Sequence, residues 1–354
     1  MNFLRSVFDH SYDVTKPLIF LLTNDDPEIA HSLFTIMSKT LYHTGLAKAV
    51  LDNSSNESTP NVPNYFPISN AAGLNKNGRI PPTVLKYLGF DRNVVGTVTG
   101  DAWEGNPRPR AKRFPKTKSI VNWMGLPGVG AKRVAKIMES YGDYEMPTTI
   151  NLMTTPGKTG DDVLWDLKDT LAYTRILDYV DRFELNISCP NTHSGSGELD
   201  ARRENLAQLR SMLGVVFDMI SDDQDLYLKV SPDLTEEDVE GILDVTHDFR
   251  VAGYTTTNTT TNHDPYYIPE SLEKGGGSGD VVEKPSLRVQ KLFCEKLKEN
   301  QHTNPTIIAC GGISSIASLE YRMHYGASEI QLYTPLIFEG PKLLREFRDY
   351  FGNR

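Results

Sequence analysis

A strand-like run followed by a helical stretch recurs eight times after residue 64, and this repeat constrains the fold more than any other feature. Each run is rich in apolar and β-forming residues, which is typical of a parallel strand covered on both faces. Eight such units in one chain predict an α/β fold of the (β/α)8 (TIM) barrel type. The runs occupy residues 66–71, 93–97, 148–153, 183–187, 226–230, 253–257, 306–309 and 329–333.

A doubly wound sheet is the structural alternative, and the turn after the first strand argues against it. Such a sheet would carry the dinucleotide fingerprint Gly-x-Gly-x-x-Gly at that turn. Residues 71–78 instead read Ala-Ala-Gly-Leu-Asn-Lys-Asn-Gly.

The N-terminal part of the chain lies outside the repeat. Asp26 followed by Pro27 predicts a helix start, and apolar residues then recur at helical spacing through Leu41. Residues 52–63 are polar and interrupted by proline, which is typical of a linker. We therefore expect a small helical extension over residues 1–50, a linker over 51–63 and the barrel over 64–354.

Bulk composition excludes several classes of protein. The formal net charge of −9 over 354 residues argues against a nucleic-acid-binding surface, which needs a basic stripe. No apolar run approaches the length of a membrane span, and no secretory signal pattern is evident near the N-terminus. The three cysteines are too few and too widely spaced for a zinc ribbon and predict free thiols in a reducing compartment.

The predicted strand ends carry amides, hydroxyls, glycines and two lysines. In barrels of this kind the catalytic groups lie where strands end in loops. This set suits an uncharged heteroaromatic ring system, and it lacks the histidines and carboxylates that a metal would need. We therefore expect no metal. The residues are Asn70, Lys76, Thr97, Asn151, Asn186, Cys189, Asn191, Lys229, Asn258, Thr259, Gly311, Gly312, Tyr333 and Thr334.

Glycine-rich turns at two neighbouring strand ends suggest a phosphate group. Gly311 and Gly312 lead from the seventh strand into a helix, where exposed N–H groups and the helix dipole favour an anion. The eighth strand ends at 333–334, and these two loops form the usual phosphate site of the architecture. A third glycine run covers 275–279. Any one of these runs alone could equally be a flexible turn.

Cys189 and Lys229 are the two reactive side chains in this set. Cys189 lies between two asparagines after the fourth strand, where a thiolate could accept a proton; the alternative is a small buried apolar residue. Lys229 could be a fixed cation beside an electron-accepting ring, a Schiff-base lysine or a structural ion pair. Cys294 and Cys310 are interpreted as structural.

Several segments, taken in order, resemble the dihydroorotate dehydrogenase family from about residue 64 to the C-terminus. The resemblance implies an FMN-containing (β/α)8 barrel, a flavoprotein oxidoreductase that converts dihydroorotate to orotate in pyrimidine (UMP) biosynthesis. The segments are Asn-Ala-Ala-Gly-Leu-Asn-Lys-Asn-Gly at 70–78, Gly-Thr-Val-Thr at 96–99, Asn-Pro-Arg-Pro-Arg at 106–110, Asn-Ile-Ser-Cys-Pro-Asn-Thr at 186–192, Thr-Asn-Thr-Thr at 257–260 and Cys-Gly-Gly-Ile at 310–313.

The resemblance also implies roles for individual residues. Cys189 matches the catalytic base, which removes the C5 proton of dihydroorotate while a hydride leaves C6 for the flavin. The positions matching substrate contacts are Lys76, Asn122, Met124, Gly125, Leu126, Asn186, Asn191, Asn258 and Thr259. Those matching flavin contacts are Ala72, Gly73, Thr99, Asn151, Asn186, Lys229, Thr257, Ser278, Gly279, Gly311, Gly312, Tyr333 and Thr334.

The sequence combines features of two branches of the family, and these branches use different electron acceptors. The N-terminal extension is similar to that of the membrane-associated, quinone-reducing branch, and His31 and Arg113 match its quinone positions. A cysteine base is typical of the soluble branch, which reduces fumarate or NAD. We expect quinone as acceptor and a peripheral location on the cytosolic side of the inner membrane, with a soluble cytoplasmic enzyme as the alternative.

Two further functions stay open from the sequence alone. One is a Schiff-base aldolase that uses Lys229, and the other is a flavin-binding barrel without catalytic activity. The sequence leaves the oligomeric state open.

Overall fold

Eight parallel strands pair side by side around a barrel in the computed structural model of this chain. The structure describes residues 16–18, 20–21, 23, 26–51, 65–142, 146–187, 198–262, 275–300 and 305–352. Around the sheet, the strands follow one another in the order 68–70, 327–332, 306–310, 253–256, 225–230, 180–186, 148–152 and 93–98. The Asn70 side chain joins its two end strands, because Nδ2 donates to Val94 O over 2.7 Å and Oδ1 accepts from Val94 N over 3.0 Å.

All eight predicted strands are present, and the predicted barrel is confirmed. Their bounds differ from the predicted runs by a few residues at most. The barrel strands are β1 (Ile68–Asn70), β2 (Asn93–Val98), β7 (Thr148–Leu152), β8 (Val180–Asn186), β9 (Asp225–Val230), β10 (Gly253–Thr256), β12 (Thr306–Cys310) and β13 (Ala327–Leu332).

Helices cover the outside of this sheet. They are α1 (Pro27–His43), α2 (Ala47–Leu51), α3 (Pro82–Leu88), α4 (Ala131–Glu139), α5 (Asp161–Thr174), α6 (Glu198–Met219), α7 (Glu236–Thr246), α8 (Glu283–Glu299), α9 (Ile316–His324), α10 (Thr334–Glu339) and α11 (Lys342–Gly352). The predicted N-cap of α1 is confirmed, since the Asp26 side chain accepts from Glu28 N over 2.8 Å.

The apolar core lies between the outer helices and the strands. In α8, Val289, Phe293 and Leu297 recur every four residues and are all buried. This spacing places them on one face of the helix, which packs against the sheet. The barrel strands are buried on both sides, which explains their continuous apolar runs.

The inside of the barrel is polar. Side chains alternate between the two faces of a strand, so Arg182, Glu184 and Asn186 of β8 all point inward. Arg182 pairs with Glu329 over 2.7 Å at the end of the barrel where the strands begin. Glu184 and Asn186 lie successively closer to the end where the strands finish, which is the end that carries the site.

Five short strands outside the barrel were not predicted from the sequence. They are β3 (Ala102–Trp103), β4 (Ala111–Phe114), β5 (Ser119–Asn122), β6 (Gly128–Val129) and β11 (Gly276–Gly279). β3 pairs with β6, while β5 lies between β4 and β11. Most of the 275–279 glycine run is thus a strand, and a Cβ at Gly276 would lie 1.9 Å from Thr259 Oγ1.

The helix α1 is fixed to the barrel by polar contacts. Glu28 accepts from Arg110 Nε over 2.9 Å and from Arg110 Nη2 over 3.0 Å. His31 Nε2 donates to Leu74 O over 2.7 Å, one turn further along the helix. Among the described helices, none combines the length and the apolar character that crossing a bilayer requires.

Candidate active site

Most of the predicted site residues gather where the barrel strands end. Cys189 and Asn191 belong to the segment 188–197, which lies outside the described residues. The adjacent residue Asn186 ends β8, and its Oδ1 accepts from Asn258 Nδ2 over 3.2 Å. Asn258 Oδ1 in turn accepts from Thr259 N over 2.8 Å. The structure therefore brings together two of the predicted substrate amides, Asn186 and Asn258.

Lys229 is held inside the barrel by a buried polar network. Its Nζ donates to Gln331 Oε1 over 3.0 Å and lies 3.8 Å from Glu184 Oε1. The Lys229 residue is 4% exposed and Glu184 is fully buried. Burial works to lower the pKa of Lys229, but the neighbouring Cys310 and Glu184 outweigh it and raise that pKa.

Glu184 is the functional candidate that sequence reasoning missed at this place. Its Oε2 accepts from Thr255 Oγ1 over 2.5 Å and from Gln331 Nε2 over 2.8 Å, while Oε1 accepts from Asn151 Nδ2 over 2.6 Å. The buried Glu184 carboxylate thus holds Lys229, Asn151 and Gln331 in one network. The only sequence signal is an acidic residue within an apolar strand.

Cys310 borders this network without being a reactive thiol. Burial raises the pKa of Cys310, so it is a neutral thiol at neutral pH, and Glu184 remains the counter-charge of Lys229. Cys294 donates to Tyr325 O over 3.0 Å, and burial raises its pKa to about 11. Both observations agree with the interpretation of these two cysteines as structural.

Asn151 has one amide atom free to bind a ligand. Its Nδ2 is taken by Glu184, but its buried Oδ1 has no hydrogen-bond partner in the structure. An unpaired buried acceptor is costly unless a ligand supplies a donor. Asn151 was predicted as a flavin contact, and a ring with N–H groups would satisfy it.

The first two barrel strands contribute a narrow space beside this network. Gly73 has a φ of +100°, donates its N–H to Gly96 O over 2.7 Å, and a Cβ there would lie 3.3 Å from the Tyr333 ring. Ala72 precedes it, and Thr99 Oγ1 donates to Asp101 O over 2.8 Å. These predicted flavin positions therefore lie at strand ends with little side-chain bulk.

The Gly311–Gly312 turn has the form of an anion cradle. Its φ values are +113° and +69°, a region that favours glycine. A Cβ at Gly312 would lie 2.5 Å from the Glu283 Cα atom. On the neighbouring strand end, Thr334 Oγ1 donates to Ser278 Oγ over 2.8 Å, and a Cβ at Gly279 would lie 2.1 Å from Lys118 O.

Thr257 links the sixth strand end to this cradle. Its N–H donates to Cys310 O over 2.7 Å, and its Oγ1 donates to Asn258 O over 3.0 Å. Thr257, a predicted flavin contact, therefore links Cys310, which precedes the glycine turn, to Asn258, a predicted substrate contact.

The accessory strands bring predicted substrate residues over the barrel end. Asn122 ends β5 and donates Nδ2 to Gly276 O over 3.3 Å. The following turn contains Met124, Gly125 and Leu126, with φ values of +69° and +57° at the last two. Met124 O accepts from Asn106 N over 3.0 Å, which fixes the turn.

Lys76 lies in a cluster of charges next to α1. Burial and the nearby Arg110 lower the pKa of Lys76 to about 8, and Glu28 partly opposes them. At neutral pH most of Lys76 is still protonated and can attract a carboxylate. Sequence reasoning missed Glu28 and Arg110, because their contact joins residues far apart in the chain.

The two predicted quinone residues lie between α1 and the barrel. Burial lowers the pKa of His31, whose ring donates to Leu74 O. The Arg113 guanidinium lies 4.4 Å from the centre of the Phe20 ring and donates Nη2 to Asp26 O over 3.5 Å. Tyr333 is close enough to be affected by Arg113, and burial raises its pKa to about 12.

These residues fit FMN as the cofactor. The unpaired Asn151 Oδ1 suits the ring, and the Gly311–Gly312 cradle suits the phosphate. Lys229 is a buried cation linked to Asn151 through Glu184. All of these residues were named from the sequence, and the structure places them at the same end of the barrel.

Comparisons with known proteins give the same family. The model of the family described as dihydroorotate dehydrogenase matches residues 57–352. The chain is 32% identical over 347 residues to the dihydroorotate dehydrogenase (quinone) of Natronomonas pharaonis, covering 95% of this chain and 92% of that protein. It is 33% identical over 353 residues to the protein of the same name from Acidithiobacillus ferrooxidans, covering 95% and 93%.

Solved structures agree in fold. The crystal structure of DHODH in complex with ferulenol from Eimeria tenella superposes with a TM-score of 0.76 at 25% identity, covering 93% of this chain and 91% of that one. The ligand-free DHODH of Eimeria tenella gives a TM-score of 0.77 at 24% identity, over 93% and 94%. The barrel, the polar strand ends and these matches together show that the chain belongs to the dihydroorotate dehydrogenase family.

Proposed function

We propose that this protein oxidises dihydroorotate to orotate with FMN, in pyrimidine biosynthesis, and passes the electrons to a quinone. Family membership supports the reaction, and relatives named as quinone enzymes match 95% of the chain. The observation that carries the cofactor is the unpaired Asn151 Oδ1 beside the buried Lys229. We also propose the division into an extension (1–50), a linker (51–63) and a barrel (64–354).

The residues of the site have separate tasks in this proposal. FMN, when bound, would supply the acceptor for the hydride equivalent of the substrate. Cys189, as the thiolate, takes the proton from C5 of dihydroorotate. Asn186 and Asn258 hold the planar amide groups of the substrate, with Asn122 and Asn191, and Lys76 attracts its carboxylate. Lys229 offers a fixed positive charge where negative charge develops on reduction.

The raised pKa of Lys229 argues against the aldolase alternative. A Schiff-base lysine must be neutral to attack a carbonyl, and this needs a lowered pKa. Lys229 has a buried carboxylate nearby and an amide acceptor, and both favour its charged form. Its environment therefore suits a permanent cation.

The acceptor is tested by separating the two halves of the reaction. Dihydroorotate added without oxygen should bleach the yellow flavin, and a ubiquinone analogue should then restore the colour faster than fumarate or NAD. The Arg113→Leu variant should still be bleached but be reoxidised slowly by the quinone, because Arg113 contacts Phe20 and Asp26 of the N-terminal region. Stopped-flow absorbance measures both steps.

Two results would contradict this proposal in different ways. A flavin that dihydroorotate does not bleach would contradict the oxidation itself. Faster recovery with fumarate or NAD than with the quinone would leave the oxidation intact and overturn the acceptor.

We further propose that α1 and the residues before it contact a membrane surface. Apolar side chains that stay exposed along this part of the chain support the proposal, since exposed apolar patches mark interaction sites. They are Leu18, Leu21, Ile29, Leu33, Ile36 and Met37.

Flotation with lipid vesicles tests this contact. The Ile36→Glu variant should bind vesicles of bacterial polar lipids less than the parent protein does. Ile176→Glu is the matched control, since Ile176 is 62% exposed against 63% for Ile36 but follows α5 near the opposite end of the barrel. Equal loss in both variants, or no loss in either, would contradict the proposal.

A further inference from the structure

We propose that Arg322 is a positioning residue for the phosphate of FMN, holding the Gly311–Gly312 turn from behind and giving it positive charge. This inference rests on the proposed cofactor. Arg322 lies on α9, ten residues after Gly312, and was not among the residues predicted from the sequence.

Arg322 is buried and bound to the phosphate turn itself. The residue is 1% exposed, and Nη2 donates to Gly311 O over 2.6 Å. The same nitrogen donates to Glu283 O over 3.2 Å. Glu283 is also the residue that a Cβ at Gly312 would contact. Nη1 donates to Ser286 Oγ over 3.0 Å and to Gln290 Oε1 over 3.1 Å.

These four acceptors are neutral, so none of the groups that bind Arg322 directly is a counter-ion, and the Glu283 carboxylate acts on its charge only from beyond hydrogen-bond distance. No carboxylate oxygen in the described part of the chain lies within ion-pair distance of its guanidinium, and Glu283 binds it through the backbone carbonyl. Burial lowers the pKa of Arg322 to about 10, so the side chain is still charged at neutral pH. Burying such a charge is costly unless an anion compensates for it.

The geometry of the turn directs this charge toward a ligand. The C=O of a trans peptide and the N–H of the next residue point in opposite directions. Arg322 binds Gly311 O, so the N–H of Gly312 points away from the guanidinium and is polarised as a donor. Within the described residues, the N–H groups of Gly312 and Ile313 have no acceptor.

The two N–H groups that follow in the loop, directly before α9, are capped by a side chain of that helix. Ser318 Oγ accepts from Ser314 N over 3.1 Å and from Ser315 N over 3.0 Å. Two N–H groups of the loop are therefore already bound, while those of Gly312 and Ile313 remain for an anion. A phosphate there would meet both donors and the charge of Arg322 behind them.

Riboflavin separates this role from a general effect on folding, because it has the flavin ring without the phosphate. The full-length protein, freed of flavin, is titrated with FMN and with riboflavin, and flavin fluorescence gives each Kd. Arg322→Gln should raise the Kd for FMN roughly tenfold or more, in line with the loss of a charge-assisted hydrogen bond. The Kd for riboflavin should change by less than about twofold.

Three further variants complete the test. Arg322→Lys keeps the charge and should restore part of the preference for FMN. Arg322→Met places no polar side-chain group in the core, so it serves as the substitute if Arg322→Gln does not fold. The expected changes in the two Kd values are the same as for Arg322→Gln. Arg182→Gln is the control, a half-buried arginine at the far end of the barrel, and should leave the ratio of the two Kd values unchanged.

Equal weakening of FMN and riboflavin by Arg322→Gln would assign Arg322 a structural role and overturn the inference, as would an unchanged FMN affinity. A parent protein that binds neither flavin would instead contradict the proposed cofactor.

Discussion

Replacing Cys189 with alanine should slow flavin reduction by dihydroorotate by about 10² to 10⁴ fold, the usual contribution of a general base. The variant should keep its flavin, because all of the predicted flavin positions except Asn186 come from other strand ends. Only a thiolate accepts a proton, and a free thiol has a pKa of about 8.5. The rate of the parent protein should therefore rise with pH through that range. Stopped-flow absorbance without oxygen measures it.

Two matched variants sharpen this test. Cys189→Ser should retain slow reduction that needs higher pH, because a serine hydroxyl gives up its proton much less readily. Cys294→Ala should reduce its flavin at the parent rate, since Cys294 lies on the outer helix α8 and binds Tyr325 O. Reduction of Cys189→Ala at the parent rate would remove Cys189 from the mechanism.

Replacing Glu184 with alanine should lower the free energy of unfolding by about 3–5 kcal/mol, the usual cost of removing one partner of a buried ion pair. The change would leave Lys229 without its counter-charge and would strip acceptors from Thr255, Gln331 and Asn151. Urea unfolding of the flavin-free protein measures the loss. Glu184 is fully buried, so solvent cannot replace these contacts.

A double-mutant cycle shows whether the charge pair itself is responsible. Glu184→Gln and Lys229→Met are each expected to destabilise the protein, and the double variant should lose clearly less than their sum. Coupling arises because each single variant leaves one buried charge unpaired, whereas the double variant leaves none. Losses that add to within about 0.5 kcal/mol would show that the two residues act independently.

The strands and their ends could be predicted because their signals are local. Each barrel strand is a continuous apolar run, and the polar residue that follows it marks the strand end. Asn151, Asn186 and Lys229 were identified in this way; the structure joins Asn151 and Lys229 through Glu184 and places Asn186 against Asn258. Parallel strands always finish at the same end of a barrel, so position along the chain was enough.

The site residues that were not identified from the sequence depend on contacts that the sequence does not show. Glu184 is one acidic residue in an apolar strand, and only the barrel brings four other strands around it. Arg322 follows Leu319 by three residues on the buried face of α9, a charge at an apolar position. A charged residue at an apolar position of a helix is a signal that could have identified Arg322 from the sequence. The five accessory strands were missed because they are two to four residues long.

The ion pair between Glu28 and Arg110 has a consequence for how the two substrates communicate. The same two charges that hold α1 to the barrel act in opposite directions on the proton affinity of Lys76. A displacement of α1 that parts Glu28 from Arg110 would therefore alter the electric field at Lys76, where we propose that the dihydroorotate carboxylate binds. With the acceptor bound beside α1, as proposed, thermodynamic linkage would make this effect reciprocal, so that occupancy of either site would change the affinity of the other.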